Sequence, residues 1–440
     1  MNQDSTITIP GVLADKSLPN FFKGWRWPKT TPRQVTLNLK NTEFLAPWAL
    51  TLIGAYAVLL KHKKKVVMVE LNPRSDSGAY AIQAGLLDLL GLPRPADTGP
   101  PDANKRTVSL ALIRTSAEIP GFSKRVMDLL AIGDDDIEGA VSYSLVELLR
   151  NVVQHSSSPV GGLAMAQYFP KTGLVELMVA DVGIGIQASL AGGYPEIDND
   201  FKALKFAMQA HVSGTFVPGA YGSMRDNAGV GLFFIKEITT LSGGGFFLGS
   251  GEMLASVWGD KKGQTNQEYH IAQKGGWNGT FALLQLRRDT IGEFAALLQT
   301  CRELAAKARK DPSEVSLDFL NEVPDIPDLT VVPVREFEEN VEEAARVRDT
   351  IVGPKLARGE MVVLDFSGIR FATQSFVHAC IYKVLRECRN VSSSLSIANC
   401  TASTREAILA VAAYASVGTI GVTEGVAESR ALDGISEDDD

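Results

Sequence analysis

The sequence predicts three folded units, a central α+β unit flanked by two small α/β units. The chain has 440 residues, about three times the length of a typical domain. Strand and helix patterns alternate near both ends, which is typical of α/β folds. Between them, amphipathic helices accompany a run of closely spaced strands, which indicates helices packed on a mixed, mostly antiparallel sheet.

The chain begins with an arm over 1–32 that we expect to be irregular, because four prolines interrupt it. A small α/β unit follows over 33–118, where alternating and continuous apolar runs predict strands and helices in turn. Its predicted elements are strands at 35–39, 66–69 and 107–113, and helices at 47–60 and 77–90.

The middle unit spans 119–288, and a long glycine-rich segment over 187–226 divides it. Before this segment the pattern predicts two helices and two strands, and after it one helix and four strands. The predicted helices are 122–131, 141–154 and 229–240, and the predicted strands are 162–168, 174–180, 245–249, 254–258, 268–272 and 280–286.

A helical connector over 289–328 leads to the second small α/β unit over 329–425. Strands and helices alternate there as they do in the first unit. The predicted elements are a helix at 335–356, a strand at 361–366, a helix at 374–388, a strand at 395–398 and a helix at 402–414. The last residues, 426–440, are expected to form a solvated acidic tail.

Charge and targeting patterns limit the function classes. The formal net charge of −8 argues against a general affinity for nucleic acid or anionic membranes. The uncharged run over 44–60 is barely long enough to span a bilayer and contains Pro47, so we predict a buried helix there. The N-terminus lacks a signal-peptide pattern, and the four cysteines lack metal-binding spacing. We therefore expect a cytoplasmic protein with reduced thiols and no membrane segment.

Three polar residues form a stripe on the predicted helix 141–154. Glu147, Asn151 and His155 are four residues apart, so their side chains share one face of the helix. A carboxylate beside an amide could serve a water molecule and a metal ion. We interpret His155 as a cap or supporting residue rather than as a catalyst.

Three glycine segments accompany this stripe. Asp181-Val-Gly-Ile-Gly-Ile186 directly follows a strand, and its glycines allow a ligand to approach the backbone closely. Asn227-Ala-Gly-Val-Gly-Leu232 precedes a helix, whose free N–H groups and dipole favour phosphate. Gly275-Gly-Trp-Asn-Gly-Thr280 precedes the last strand. The chain contains no Gly-Lys dipeptide, which excludes a Walker-type phosphate loop.

Taken in order, these segments resemble the GHKL ATPase superfamily of gyrase-type topoisomerases, MutL, the ninety-kilodalton heat-shock chaperone, histidine kinases and anti-sigma-factor serine kinases. The stretch 147–155 looks like the family's N-box, and 181–185 looks like its first glycine box. The stretch 229–232 looks like the second glycine box, and Gly279-Thr280 looks like the terminal Gly-Thr element. The resemblance covers about 120–288 and implies a Bergerat-type ATP-binding sandwich.

The resemblance implies that the middle unit binds ATP and Mg²⁺. Asn151 would bind Mg²⁺ through its side-chain oxygen, and Asp181 would accept a hydrogen bond from the adenine amino group. The segment 187–226 would be the ATP lid. The residues implied to contact the nucleotide are Asn151, Asp181, Gly183, Gly185, Ser223, Arg225, Asn227, Gly229, Val230, Gly231, Leu232 and Thr280.

Glu147 decides between the hypotheses about activity. Hydrolysing GHKL members carry a glutamate four residues before the asparagine, placed to orient or deprotonate water. Our first hypothesis is an ATP-driven conformational switch with Glu147 as the catalytic residue. The second is a protein serine/threonine kinase of anti-sigma type, in which Glu147 activates a protein hydroxyl. The third is a nucleotide-sensing scaffold that does not hydrolyse ATP.

The segment 361–376 resembles the central strand-to-helix segment of a STAS-like domain. STAS domains are regulatory partners of GHKL serine kinases, which phosphorylate a serine at the start of that helix. Here Thr373-Gln-Ser375-Phe replaces the usual Asp-Ser-Ser-Gly, so Ser375 is a candidate phosphoacceptor and Thr373 a candidate helix cap. We interpret 33–118 as a second, more diverged STAS-like unit. The resemblance implies a protein partner for these units and is compatible with a homodimer.

Overall fold

The computed structural model describes residues 4–24, 32–96, 106–130, 135–191, 194, 197–210, 231–259, 265–273, 275–287, 294–307, 317–327, 329–387 and 394–416. The strands are β1 Asp4–Thr8, β2 Val12–Leu13, β3 Gln34–Asn38, β4 Phe44–Leu45, β5 Val66–Glu70, β6 Thr107–Ile113, β7 Gly162–Phe169, β8 Leu174–Asp181, β9 Gly245–Gly251, β10 Met253–Gly259, β11 Thr265–Ile271, β12 Trp277–Arg287, β13 Asp318–Leu320, β14 Thr330–Pro333, β15 Val362–Asp365 and β16 Leu395–Ala398. The α-helices are α1 Leu18–Gly24, α2 Pro47–His62, α3 Asp76–Gln83, α4 Leu86–Leu89, α5 Ile119–Leu130, α6 Asp135–His155, α7 Gly185–Leu190, α8 Asp200–Ala207, α9 Gly231–Leu241, α10 Phe294–Lys307, α11 Val341–Val347, α12 Gly353–Ala357, α13 Gln374–Glu387 and α14 Ala402–Ser416.

The first sheet is parallel, with the strand order β1-β3-β5. Our expectation of an irregular arm is wrong for its first residues, because β1 pairs with β3 in register from Asp4 opposite Gln34. Ile7 and Ile9 are buried beneath this sheet, which the short alternation of isoleucine with threonine allows. The arm therefore contributes a strand to the first unit.

Helix α2 is buried along almost its whole length, as we predicted for the uncharged run over 44–60. It packs against β7 and β8 of the next sheet. No helix in the part of the chain that the structure describes is long and apolar enough to cross a membrane. The predicted helix over 77–90 is two helices, α3 and α4, because the backbone turns at Gly85, whose φ is +83°.

The large sheet has seven strands in the order β11-β10-β9-β12-β8-β7-β6, and every neighbouring pair is antiparallel. The prediction of a largely antiparallel sheet beneath helices is therefore confirmed. We placed β6 in the first unit from its position in the chain. The structure instead pairs it with β7, so it forms an edge of the large sheet.

The large sheet is the middle layer of three, and β8 shows why. Leu177 and Val179 face a core shared with α5, α6 and α9, whereas Met178 and Ala180 face a core shared with α2. Because both faces are covered, the stretch Leu177–Ala180 of β8 is a continuous apolar run rather than an alternating one. This packing fixes the strand's C-terminal end, where Asp181 lies.

The third sheet is parallel, with the order β13-β16-β15-β14, and α13 packs against α11 and α14. The predicted helix over 335–356 is broken into a short 3-10 turn, α11, a π-helical turn over Arg348–Val352 and α12. Asn340 starts α11 by accepting hydrogen bonds from the backbone N–H groups of Glu342 and Glu343. The apolar spacing alone did not indicate this cap.

Candidate functional site

The polar stripe of α6 lies against the start of α9. Glu147 is 2% exposed, although its side chain is a carboxylate. A Cβ atom added to Gly231 would lie 2.8 Å from Glu147 Oε2, so the carboxylate contacts the first residue of α9. The N-terminus of a helix attracts phosphate. Asn151 is half-buried one turn further along α6.

Asp181 joins the first glycine segment to the last one. Its Oδ1 atom accepts hydrogen bonds from the backbone N–H of Gly183, at 2.8 Å, and of Thr280, at 3.3 Å. The indole of Trp277 donates to the Asp181 carbonyl at 2.8 Å. Among the described residues, both of these backbone donors bind Oδ1 rather than Oδ2.

Burial raises the pKa of Asp181 to about 6, and the two backbone N–H donors oppose that shift. The carboxyl group is therefore still largely ionised at neutral pH. Ionised, it has only acceptors, which suits it to the exocyclic amino group of a purine.

Two glycines allow the backbone segments around Asp181 to pack closely together. A Cβ atom on Gly183 would lie 1.9 Å from the carbonyl oxygen of Ser156, directly after α6. The next residue, Ile184, donates a 2.8 Å hydrogen bond to that same oxygen. Gly279 has a φ of +111°, and its added Cβ would lie 2.4 Å from the carbonyl oxygen of Asp181. The end of α6 and the two glycine segments thus form one packed corner.

A cavity of about 410 Å³ opens beside the first glycine segment. Gly183, Gly185, Ser250 and Gly279 line it, and Lys63 reaches it from the end of α2. Its volume is in the usual range for ligand sites. Glu147 and Asn151 are not among the residues that line this cavity. The cavity therefore lies on a different side of the glycine segments from the polar stripe of α6.

The third unit contacts the polar stripe through the start of α13. The hydroxyl of Ser375 donates a 2.7 Å hydrogen bond to Glu147 Oε2, and its backbone N–H donates to Oε1 at 3.2 Å. Ser375 is 8% exposed. One residue of the third unit therefore binds both carboxylate oxygens of Glu147.

Arg150 makes a second contact between α6 and the third unit, and our sequence reasoning missed it. Its guanidinium, 3% exposed, donates to the hydroxyl of Thr373 and, at 2.6 Å, to the carbonyl oxygen of Glu339. It also lies 3.7 Å from Glu147 Oε1 and 3.9 Å from Glu339 Oε2. Burial raises the pKa of Glu339, although Arg150 opposes the shift. The sequence signal that could have indicated this contact was the position of Arg150, three residues after Glu147 within a buried helix.

Thr373 has the capping role that we considered for it. Its hydroxyl accepts a 3.3 Å hydrogen bond from the backbone N–H of Phe376 in the first turn of α13. The same hydroxyl accepts the hydrogen bond from Arg150. Thr373 therefore holds the helix start that presents Ser375 to Glu147.

Some predicted site residues lie away from this geometry or outside it. Leu232 is half-buried against the core of the middle unit, and Thr280 contributes its backbone N–H to Asp181. Among the described residues there is no group of three or more His, Cys, Asp or Glu that could hold a metal ion. A single amide such as Asn151 suits Mg²⁺, which keeps water and phosphate oxygens as its other ligands. The predicted residues outside the described part are Ser223, Arg225, Asn227, Gly229 and Val230.

The stability of the middle unit should depend on the ionisation of Asp181. The pKa is about 6 in the folded chain and about 3.9 in an unfolded chain. Because the folded state holds this proton more tightly, the free energy of unfolding should fall by about 2–3 kcal/mol as the pH rises from about 4 to 6. Urea unfolding of the wild type and Asp181→Asn across this range measures it. A stability difference between the two proteins that does not change with pH would contradict the assignment.

Comparison with family models finds a match within the third unit. Residues 343–405 match a STAS-like domain of unknown function (DUF4325), which confirms the STAS-like prediction over those residues. Thr373 and Ser375 lie inside this match. No curated protein matches the chain. The STAS-like interpretation of 33–118 stays a prediction.

Among solved structures, the ATPase region of Saccharomyces cerevisiae topoisomerase II is similar at 10% identity. The similarity covers 49% of this chain and 67% of that chain, with a TM-score of 0.19. At that TM-score it carries no argument about fold or function. The nucleotide assignment therefore depends on the motifs and on the contacts around Glu147 and Asp181.

Proposed function

We propose that this chain is an ATP- and Mg²⁺-dependent ATPase of GHKL type that acts as a conformational switch through its STAS-like domain. The contact of Glu147 with Ser375 is the observation that carries the proposal. Glu147 lies at the start of α9, where phosphate would bind, and the STAS-like domain holds both of its oxygens. A movement of Glu147 on phosphate binding or release would therefore directly change its contact with the STAS-like domain.

Each part of the site has a role in this proposal. Asp181 would bind the adenine amino group, and Gly183 and Gly279 would hold Asp181 in place through the close backbone packing of this corner. Asn151 would hold Mg²⁺, which neutralises charge on the phosphates when it is bound. Glu147 would orient a water molecule and take its proton as the water oxygen attacks the γ-phosphorus and ADP leaves.

Asn151→Ala tests whether the site binds Mg-ATP. Loss of the amide oxygen removes the one protein ligand proposed for the ion, so we expect affinity for ATP in Mg²⁺ to fall by at least about tenfold. Calorimetric titration with a non-hydrolysable ATP analogue, with and without Mg²⁺, measures it. Asn266→Ala, on the exposed edge strand β11, is the matched control and should bind as the wild type does. Unchanged, Mg²⁺-dependent binding by Asn151→Ala would refute the site.

The same contact favours a second candidate function, a protein serine kinase that acts on its own chain. The Ser375 hydroxyl lies 2.7 Å from Glu147 Oε2, within reach of a general base. In that reaction Ser375 Oγ bonds to the γ-phosphorus, the bond to the β,γ-bridging oxygen breaks, Glu147 takes the hydroxyl proton and ADP leaves. Incubation with γ-labelled ATP separates the candidates. Label on the protein that Ser375→Ala removes supports the kinase, whereas label only in free phosphate supports the ATPase.

A further inference from the structure

Five residues form a polar contact between α6 and the STAS-like domain that we call the clasp: Glu147, Arg150, Glu339, Thr373 and Ser375. We propose that the clasp is an autoinhibitory device, in which Ser375 covers Glu147 and Arg150 is the positioning residue that holds the cover in place. This inference rests on the proposed ATPase function. It adds that the docked STAS-like domain slows hydrolysis.

Ser375 blocks access to Glu147. A general base needs an oxygen that faces the attacking water. The hydroxyl and the backbone N–H of Ser375 bind one oxygen each, and only 2% of Glu147 is exposed. The Ser375 hydroxyl thus occupies the position that a water molecule needs. Hydrolysis then requires Ser375 to leave.

Arg150 holds the segment that carries Ser375 against α6. Arg150 lies between two carboxylates of different units, those of Glu147 and Glu339, and donates hydrogen bonds to Thr373 and to the Glu339 backbone. Removal of Arg150 would leave two buried carboxylates without their shared counter-charge, and the Thr373 hydroxyl without its donor. Ser375 itself does not contact Arg150 through any hydrogen bond among the described residues, so the effect of Arg150 on it is indirect.

The surroundings of the clasp allow it to open and close reversibly. A cavity of about 180 Å³ lies beside the clasp, lined by Arg150, Glu338 and Glu339 and by Ser116 and Pro120 of the middle unit. A cavity of that volume can hold several water molecules. The clasp is polar and loosely packed on this side, so its groups can be hydrated when it opens. Such interfaces between domains permit relative motion.

The backbone of the STAS-like side is consistent with a held state. Glu338 and Glu339 are consecutive non-glycine residues with φ values of 47° and 57°. Left-handed backbone costs free energy in such residues and persists where surrounding contacts impose it. Arg150 donates a hydrogen bond to the carbonyl oxygen of Glu339 within this segment.

Opening the clasp should raise the rate of ATP hydrolysis. The direction of this rate change tests the inference. Ser375→Ala removes the hydroxyl that covers Glu147, and we expect a rate of phosphate release about tenfold above that of the wild type. Arg150→Ala should raise it by a similar or larger factor, and Arg150→Lys, which keeps the charge, should give an intermediate rate. Arg346→Ala is the matched control, because this exposed arginine pairs only with Glu343 on α11 among the described residues, away from the clasp.

A second measurement reports docking without turnover. Hydrogen exchange of the backbone amides of 374–377 should be faster in Ser375→Ala and in Arg150→Ala than in the wild type and in Arg346→Ala. Faster exchange with unchanged or lower phosphate release would overturn the autoinhibitory role, provided that the variant still binds ATP as the wild type does. Exchange that does not change in either variant would overturn the clasp itself. Absence of ATP binding in the wild type would instead refute the proposed function.

Discussion

Glu147→Gln is expected to lower the rate of ATP hydrolysis by at least about a hundredfold, because a carboxamide cannot take the proton of the attacking water. The substitution keeps the size of a side chain that is almost fully buried. Its amide oxygen can still accept a hydrogen bond from Ser375, so the fold and the clasp should persist. Affinity for ATP should therefore stay within a few fold of the wild type, and phosphate release and calorimetry measure the two effects separately.

The matched control for this substitution is Glu237→Gln on α9. Glu237 is also mostly buried and forms an ion pair with Lys236 at 2.6 Å, but no hydrogen bond described for it reaches the clasp. Hydrolysis by this variant should equal that of the wild type. If Glu147→Gln hydrolysed ATP normally, Glu147 would not be the general base. If the wild type bound ATP, and opening the clasp released no hydrolysis either, the scaffold hypothesis would be the better one.

The corner around Asp181 could be predicted because its geometry constrains residue type. The backbone of Gly183 and Gly279 approaches other backbone so closely that only glycine fits. Steric demands of this kind leave a residue pattern in the sequence. Asp181 and Thr280 are far apart in the chain, and only the resemblance to the GHKL family implied that both contact the nucleotide. In the structure, the backbone N–H of Thr280 donates to Asp181.

The clasp could not be predicted from such patterns. Arg150 and Thr373 lie 223 positions apart and in different units. Neither residue stands in a motif that demands its partner, because many surfaces of the middle unit could receive α13. The helix pattern gave the position of Ser375 within its own unit. Only the docking of the two units shows that Ser375 meets Glu147.

The placement of β6 was wrong for a related reason. An apolar run such as Thr107–Ile113 indicates a strand but does not say which strand it pairs with. Its neighbours in the chain belong to the first unit, whereas its hydrogen bonds go to β7. The apolar pattern therefore predicted the strand correctly but not the sheet to which it belongs.

Gly279→Ala is expected to destabilise the middle unit by about 3–5 kcal/mol, since two costs combine. An alanine at a φ of +111° adopts a strained backbone. Its Cβ would also lie 2.4 Å from the Asp181 carbonyl oxygen and 2.8 Å from Asp181 Oδ1. Both neighbours are fixed, because that carbonyl accepts from Trp277 and Oδ1 accepts from Thr280. Urea unfolding measures the stability, and a titration with ATP should show weaker binding because Asp181 must move.

Gly275→Ala separates these two costs. Gly275 has a similar φ of +115°, but nothing lies within 4 Å of the Cβ that alanine would add. This control should therefore lose only the strain contribution, about 1–3 kcal/mol, and should bind ATP as the wild type does. The stability difference between the two variants isolates the close approach of Gly279 to Asp181. Equal stability losses, or normal ATP binding by Gly279→Ala, would mean that this corner does not shape the adenine end of the site.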